Sequence, residues 1–278
     1  MAELNFVKVD ISVPVTLPNG VRIDPTSWMW ETVARLKGRR LAVFGATGTG
    51  KTTWLHRLWR IEMPGDALNE STEDEIPYSV KLNRATILFH DSPGQEGNHA
   101  LREMIIRARD SDFVGIVNVV SYGILDSRAA RYEQPRSDEK DDLLEYFARR
   151  RASEIEFLKK HLYDPDSYDA NKVRKNLKFV LTVVNKFDLW HHQADEVLSH
   201  YRDGEYGKLL SGFGDSHMIC GCAAESKFGY YKGKLRPDVF GLPPDESVIG
   251  SVNGHCVESV AAALAGGNAG KDIIPRCL

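Results

Sequence analysis

Every odd position from Val7 to Leu17 is apolar, and Lys8, Asp10, Ser12, Pro14 and Thr16 fill the even ones. A period of two marks a strand with one buried face, and Pro14 suits an edge strand. Asn19-Gly20 predicts a two-residue hairpin turn, with Val21 and Ile23 on the returning strand. Asp24-Pro25 has the form of a helix N-cap followed by proline at the first helical position, and Gly38 would stop that helix after Lys37. Residues 1–38 are expected to form a hairpin-and-helix extension that extends or covers a main sheet.

The pattern changes at Arg40. Short, fully apolar runs now alternate with stretches of helical period. Strands are predicted at Leu41–Phe44, Tyr78–Leu82, Thr86–His90, Phe113–Val120, Phe179–Val184 and His217–Cys222. Helices are predicted at Thr52–Ile61, Ala100–Arg109 and Gly254–Leu264. This alternation implies an α/β fold, a mostly parallel central sheet with helices on both faces. It spans 39–266, with a tail at 267–278. A charged insertion at about 122–176 interrupts it. Leu144, Phe147, Ile155, Leu158 and Leu162 recur there at near-helical spacing and predict a helix over Asp138–Tyr163. Phe228–Ser251, rich in glycine and proline, reads as loop.

Composition narrows the function classes. The 278 residues are 42% hydrophobic and 27% charged, which suits a globular core. A net charge of −3 gives no global basic footprint for nucleic acid. No apolar run approaches the roughly 20 residues of a membrane span. The start, MAELNFVKVD, lacks the basic end and apolar centre of a signal peptide, so a cytoplasmic location is expected. Cys220 and Cys222 have the look of half a metal site without its second pair, or of reduced cysteines at a strand end.

Chemistry enters with GATGTGKT, Gly45–Thr52, which fits G-x-x-x-x-G-K-[ST] between an apolar strand and a helix. The glycines let successive N–H groups turn inward on phosphate oxygens, and the helix beginning near Lys51 adds its positive end. Lys51 would reach the β- and γ-phosphates, and the Thr52 hydroxyl would bind Mg²⁺. Ile87–Glu96, ILFHDSPGQE, puts Asp91 at the end of a second apolar strand, where a carboxylate can hold Mg²⁺ through water. Val183–Asp188, VVNKFD, ends another strand with an amide and a carboxylate. A carboxylate accepts together from the guanine N1–H and exocyclic amine, a donor pair that adenine lacks.

With these residues in view, the chain resembles the Ras-like, translation-factor-class P-loop GTPases. GATGTGKT, DSPGQE, NKFD and Gly221-Cys222-Ala223 match four of the family's motifs in the family's order, over roughly Arg40 to Leu264. The resemblance implies a Ras-like P-loop GTPase fold, bound GTP or GDP, Mg²⁺ and hydrolysis of GTP to GDP and phosphate. It implies that Gly45, Thr47, Gly48, Thr49, Gly50, Lys51, Thr52 and Thr53 cradle the phosphates and that Gly94 contacts the γ-phosphate. Gln95 would position the attacking water, and Lys51 would take part in catalysis by neutralising charge on the phosphates. Thr52, Asp91 and a first-switch threonine, assigned to Thr72 with Ser71 as its neighbour and Ser79 as a distant rival, would hold the metal. Asn185 and Asp188 would recognise guanine, Lys186 would pack along the nucleotide, and Cys222 and Ala223 would complete the base site.

Two departures bear on function. Thr47 stands where Ras-like members carry a glycine. The insertion is far longer than in those members and leaves the sheet on the ligand side. Arg128 or Arg131 would there serve as a built-in arginine finger, or the segment is a solvated loop that docks a regulator. The expected behaviour is that of a nucleotide-controlled switch acting on a protein effector. The alternatives are a GTP-binding interaction module with negligible turnover and a P-loop ATPase.

Overall fold

A computed structural model describes residues 15–16, 22–23, 40–59, 76–82, 85–91, 114–125, 139–162, 179–210, 217–226, 230–231 and 234–265. Strands β1 (Val15–Thr16) and β2 (Arg22–Ile23) pair antiparallel, with Val15 opposite Ile23 and Thr16 opposite Arg22. The pairing is one residue away from the register a two-residue Asn19-Gly20 turn would impose. Such a turn would set Thr16 opposite Ile23, and a one-residue slip exchanges the two faces of the ribbon. The helix expected after Asp24 lies outside the described residues.

The main sheet follows. It comprises β3 (Arg40–Phe44), β4 (Ile76–Leu82), β5 (Ala85–Asp91), β6 (Gly115–Val120), β7 (Phe179–Val184) and β8 (His217–Gly221). Their order is β4-β5-β3-β6-β7-β8. Only β4 runs antiparallel to its neighbour, with Leu82 opposite Ala85. The remaining pairs are parallel, with Val43 opposite Asp91, Val117 opposite Leu181 and Val184 opposite Gly221. The expected α/β class with a mostly parallel sheet is observed. Two short strands, β9 (Tyr230–Tyr231) and β10 (Lys234–Leu235), form a separate antiparallel pair.

The described helices are α1 (Lys51–Trp59), α2 (Lys140–Leu162), α3 (Phe187–Trp190), α4 (Ala194–Arg202), α5 (Glu205–Leu210), α6 (Pro237–Phe240) and α7 (Glu246–Ala265). Both faces of the sheet are covered, which is why its strands read as unbroken apolar runs. Leu41, Val43, Val117, Val119, Leu181 and Val183 point to α1 and α7 and pack with Trp54, Leu55, Cys256 and Val260. Ala42, Phe44, Ile116, Val120, Val180 and Val184 point the other way, toward Tyr146, Phe147, Leu158, Val197 and Tyr201. Trp54 is fully buried and meets Phe89 edge-on at 5.9 Å between ring centroids. Replacing it by alanine would cost about 3–5 kcal/mol, since the cavity adds to the lost transfer energy.

The insertion helix was expected over Asp138–Tyr163 and is found at Lys140–Leu162. Its buried face differs in one respect: Leu143 is fully buried and Leu144 is 38% exposed. Helix α7 begins eight residues before the expected Gly254, inside a stretch read as loop. Gly250 and Gly254 lower its intrinsic preference, and burial of Val252, Cys256 and Val260 against the sheet overrides that.

A polar network crosses the core beneath α5. Asn118 on β6 donates to the Tyr206 hydroxyl at 2.5 Å, which lies 3.2 Å from the Thr182 hydroxyl on β7. Thr182 in turn lies 3.0 Å from Nε2 of His217 on β8. Each strand contributes one polar residue among apolar ones, so the network joins three strands to one helix.

Candidate functional site

Because β3, β5, β6, β7 and β8 are parallel, the segments that follow them emerge at one edge of the sheet. Consecutive connections go to opposite sides of β3, and that is where α/β sheets form ligand crevices.

Residues 45–50 link β3 to α1. Gly45, Gly48 and Gly50 have φ of 143°, 85° and 87°. Two of them are sterically required. A Cβ on Gly45 would lie 2.1 Å from the Val119 carbonyl oxygen, and one on Gly50 would lie 2.4 Å from the Asn185 amide nitrogen. The loop is closed from within, since the Thr49 hydroxyl and N–H both donate to the Ala46 carbonyl, at 2.9 and 3.3 Å. Lys51 opens α1 and is only 6% exposed. Its ammonium donates to the Gly45 carbonyl at 2.8 Å, folding the side chain back over the loop. Burial lowers its pKa, and the nearby Asp91 carboxylate opposes that shift. The N–H groups of the first helical turn have no partner four residues back, so they are available to an anion. Thr47 is half-buried at the loop's tip, and Thr53 lies one residue past Thr52 on α1.

Asp91 ends β5 and is fully buried. The Thr52 hydroxyl donates to its Oδ2 at 2.9 Å. Its Oδ1 is buried with no hydrogen-bond partner among the described residues. Burial raises the Asp91 pKa to about 6, while Lys51 and Thr52 hold it down. A hydroxyl beside a buried carboxylate with an unused oxygen is a hard, all-oxygen donor set that fits Mg²⁺, which completes its shell with water and phosphate oxygens. Thr72, Gly94 and Gln95 lie outside the described residues, as do Arg128 and Arg131.

The loop after β7 carries Asn185, Lys186 and Asp188. Asn185 is 2% exposed and braces three segments. Its side-chain nitrogen donates to the Thr49 carbonyl at 3.0 Å, and its side-chain oxygen accepts from the Ala224 N–H at 3.1 Å. Its own carbonyl accepts from the Trp190 indole at 2.7 Å. Lys186 adopts φ 62° and ψ 39°, the left-handed region. Its ammonium donates to the Ile124 carbonyl at 2.6 Å and the Gly48 carbonyl at 3.2 Å. Asp188 is 1% exposed at the start of α3.

The loop after β8 interlocks with this one. The Cys222 N–H donates to the Val184 carbonyl and the Phe187 N–H to the Cys222 carbonyl, both at 2.9 Å. Ala223 is held by α7: its N–H donates to Asn253 Oδ1 at 2.8 Å, and its carbonyl accepts from Asn253 Nδ2 at 3.0 Å. Cys220, Cys222 and Cys256 are free, buried thiols, with the Cys220 and Cys256 sulfurs 3.4 Å apart. Among the described residues no group of three or more His, Cys, Asp and Glu side chains is placed to hold a metal. His191 and His192 sit in a short 3₁₀ turn before α4, and neither caps that helix with its side chain.

Sequence reasoning missed two contributors. Asn253 left no signal in the sequence. Glu154 did: it sits seven residues after Phe147 and four before Leu158, an acidic side chain in the apolar phase of α2. It is 5% exposed.

Compared by sequence, the chain matches no protein-family model and no curated protein. By structure it is similar to the bacterial selenocysteine-specific elongation factor EF-Sec, with 16% identity and a TM-score of 0.38, over 79% of this chain. The chain spans 28% of that factor's length. It is also similar to the mammalian SRP receptor, with 19% identity and a TM-score of 0.41, over 72% of this chain and 95% of that one.

Proposed function

We propose that the chain is a Mg²⁺-dependent GTP-binding protein that hydrolyses GTP to GDP and phosphate and acts as a nucleotide-controlled switch. The observation that carries this reading is Asn185. One buried amide ties the Thr49 carbonyl of the GATGTGKT loop to the Ala224 N–H just after Gly221-Cys222-Ala223, so the loops after β3, β7 and β8 meet at one side chain.

In this reading, residues 39–266 are the nucleotide-binding domain, 1–38 an extension and 267–278 a tail. The loop 45–50 and the first turn of α1 bind the phosphates through N–H groups, and Lys51 leaves its loop carbonyl for phosphate oxygens. Thr52 and Asp91 hold the metal ion, with Thr72 as the further ligand. A metal ion held by these residues would supply charge neutralisation to the phosphates. Gln95 orients the attacking water, and Gly94 offers its N–H to the γ-phosphate. Asp188 accepts from the guanine edge, Lys186 lies along the nucleotide, and the backbone at Cys222 and Ala223 borders the base. Catalysis is then positioning and charge neutralisation. Segments near Thr72 and Gly94 would be ordered by the γ-phosphate and released after its loss, which is how an effector or regulator would read the state. A cytoplasmic location belongs to the same reading, and free Cys220, Cys222 and Cys256 suit a reducing compartment.

The deciding experiment is an affinity panel of GTP, GDP, XTP and ATP against wild type and Asp188→Asn. Wild type should prefer guanine nucleotides, and the variant should shift toward xanthine, because the amide inverts one hydrogen bond. No preference of wild type for GTP over ATP would overturn the reading. Thr47, a side chain at the tip of the phosphate loop, favours a second reading: a GTP-binding interaction module with negligible turnover. Single-turnover phosphate release by wild type and Gln95→Ala separates the two, since equal rates near zero would favour the module.

A further inference from the structure

The insertion reaches the nucleotide site through a buried carboxylate. Glu154, near the middle of α2, accepts through Oε1 from the N–H groups of Ser121 and Gly123, each at 3.1 Å. Its Oε2 accepts from the Tyr201 hydroxyl on α4 at 2.5 Å. The same hydroxyl accepts from the Tyr122 N–H at 3.0 Å. The N–H groups of Ser121, Tyr122 and Gly123, the first three residues of the turn after β6, are therefore all taken by one carboxylate and the phenol that donates to it.

The turn needs that support. Tyr122 has φ 53°, a conformation a side chain with a Cβ rarely adopts, and Gly123 has φ 76°. A Cβ on Gly123 would lie 2.2 Å from the Phe147 carbonyl oxygen, so the turn is pressed against the backbone of α2. Strained backbone persists only where its surroundings over-determine it, and it clusters at functional sites. A carboxylate is costly to bury unless its lone pairs are used, and here the turn and Tyr201 use them.

What the strained turn delivers is a carbonyl. The Ile124 N–H closes the turn onto the Ser121 carbonyl at 2.9 Å, and the Ile124 carbonyl takes the Lys186 ammonium at 2.6 Å. That ammonium also reaches the Gly48 carbonyl of the phosphate loop at 3.2 Å. Leu125, next in line, is anchored by the Tyr231 hydroxyl at 2.8 Å.

We propose that Glu154 is a positioning residue of the nucleotide site: it fixes the 121–125 turn so that the Ile124 carbonyl holds Lys186 against the phosphate loop. The inference rests on the nucleotide-binding reading above. The insertion is thus a working part of the site, beyond any role in docking a regulator.

The test is a double-mutant cycle on the full chain, titrating GDP with Mg²⁺ against wild type, Glu154→Gln, Lys186→Gln and the double variant. Glu154→Gln keeps the shape and puts an amide where the carboxylate meets the turn. It should weaken GDP binding roughly tenfold in the wild-type background, and by less than about twofold once Lys186 is gone, because a hydrogen bond to a charged group is lost only once. An equal loss in both backgrounds would mean that Glu154 only supports the fold, and no loss in either would mean that the turn is fixed without it. Both results overturn the proposal. Tyr201→Phe removes only a hydroxyl and puts the same question if Glu154→Gln does not fold. Wild type that fails to bind GDP would instead sink the nucleotide reading itself.

Discussion

The side-chain amide of Asn185 donates to the carbonyl of Thr49 at 3.0 Å, across 136 residues of chain. The same nitrogen would lie 2.4 Å from a Cβ on Gly50. The GATGTGKT loop and the NKFD loop are therefore locked together. Asn185→Ala strips partners from the Thr49 carbonyl and the Ala224 N–H, both polar groups with little access to water. Stability without any nucleotide should fall by about 2 kcal/mol. Urea unfolding of the free protein measures it, and an unchanged midpoint would show that Asn185 acts on the ligand alone.

Asn253 competes for a donor. Its Oδ1 takes the Ala223 N–H, the donor that the proposed base site would offer to the guanine oxygen. A base that accepts from that N–H must displace the amide or share with it. Asn253→Ala should then tighten GDP binding roughly fivefold, about the worth of one hydrogen bond. The 2-aminopurine analogue, which lacks that oxygen, should gain nothing. If both nucleotides bind more weakly to the variant, Asn253 is a brace for the loop rather than a rival of the base.

His217 links stability to pH. Burial lowers its pKa to about 4 from the ordinary 6.5, and its Nε2 is engaged with the Thr182 hydroxyl. Between pH 6.5 and 4 the unfolded chain binds a proton at this position that the folded chain does not. Its contribution is complete above about pH 6.5 and is lost as pH falls toward 4, up to roughly 3 kcal/mol in all. His191, His192 and His200 are shifted the same way, so the informative quantity is a difference. Stability between pH 7 and 5 should fall less steeply in His217→Gln than in wild type. Parallel slopes would assign the effect elsewhere.

Gly250 and Gly254 lie within α7, and a Cβ at either would meet nothing within 4 Å. Alanine there removes backbone freedom from the unfolded chain without a clash. Each substitution should stabilise the protein by about 0.5–1 kcal/mol. Thermal unfolding is the measurement, and a lower midpoint would mean that the helix is not continuous through these positions.

The parts of this molecule legible in its sequence are those decided by neighbours along the chain. Apolar runs such as Phe179–Val184 announced buried parallel strands, because both faces of such strands are covered. The glycines of GATGTGKT announced a loop turning into a helix, since only they tolerate its dihedral angles. Where local and tertiary preferences disagreed, the reading failed. Helix α7 begins within a glycine-rich stretch because packing against the sheet outweighs propensity, and Leu143 rather than Leu144 faces the core because helix phase is set by the surface it meets.

Tertiary structure alone decided who bonds with whom. No spacing rule connects Asn185 to Thr49, Asn253 to Ala223 or Glu154 to Gly123. These pairs are joined by the parallel sheet, which delivers the ends of distant strands to one edge, and by helices pressed over it. A sequence records which groups are polar and which must be buried. Which polar group answers which is fixed only when burial removes water as an alternative partner.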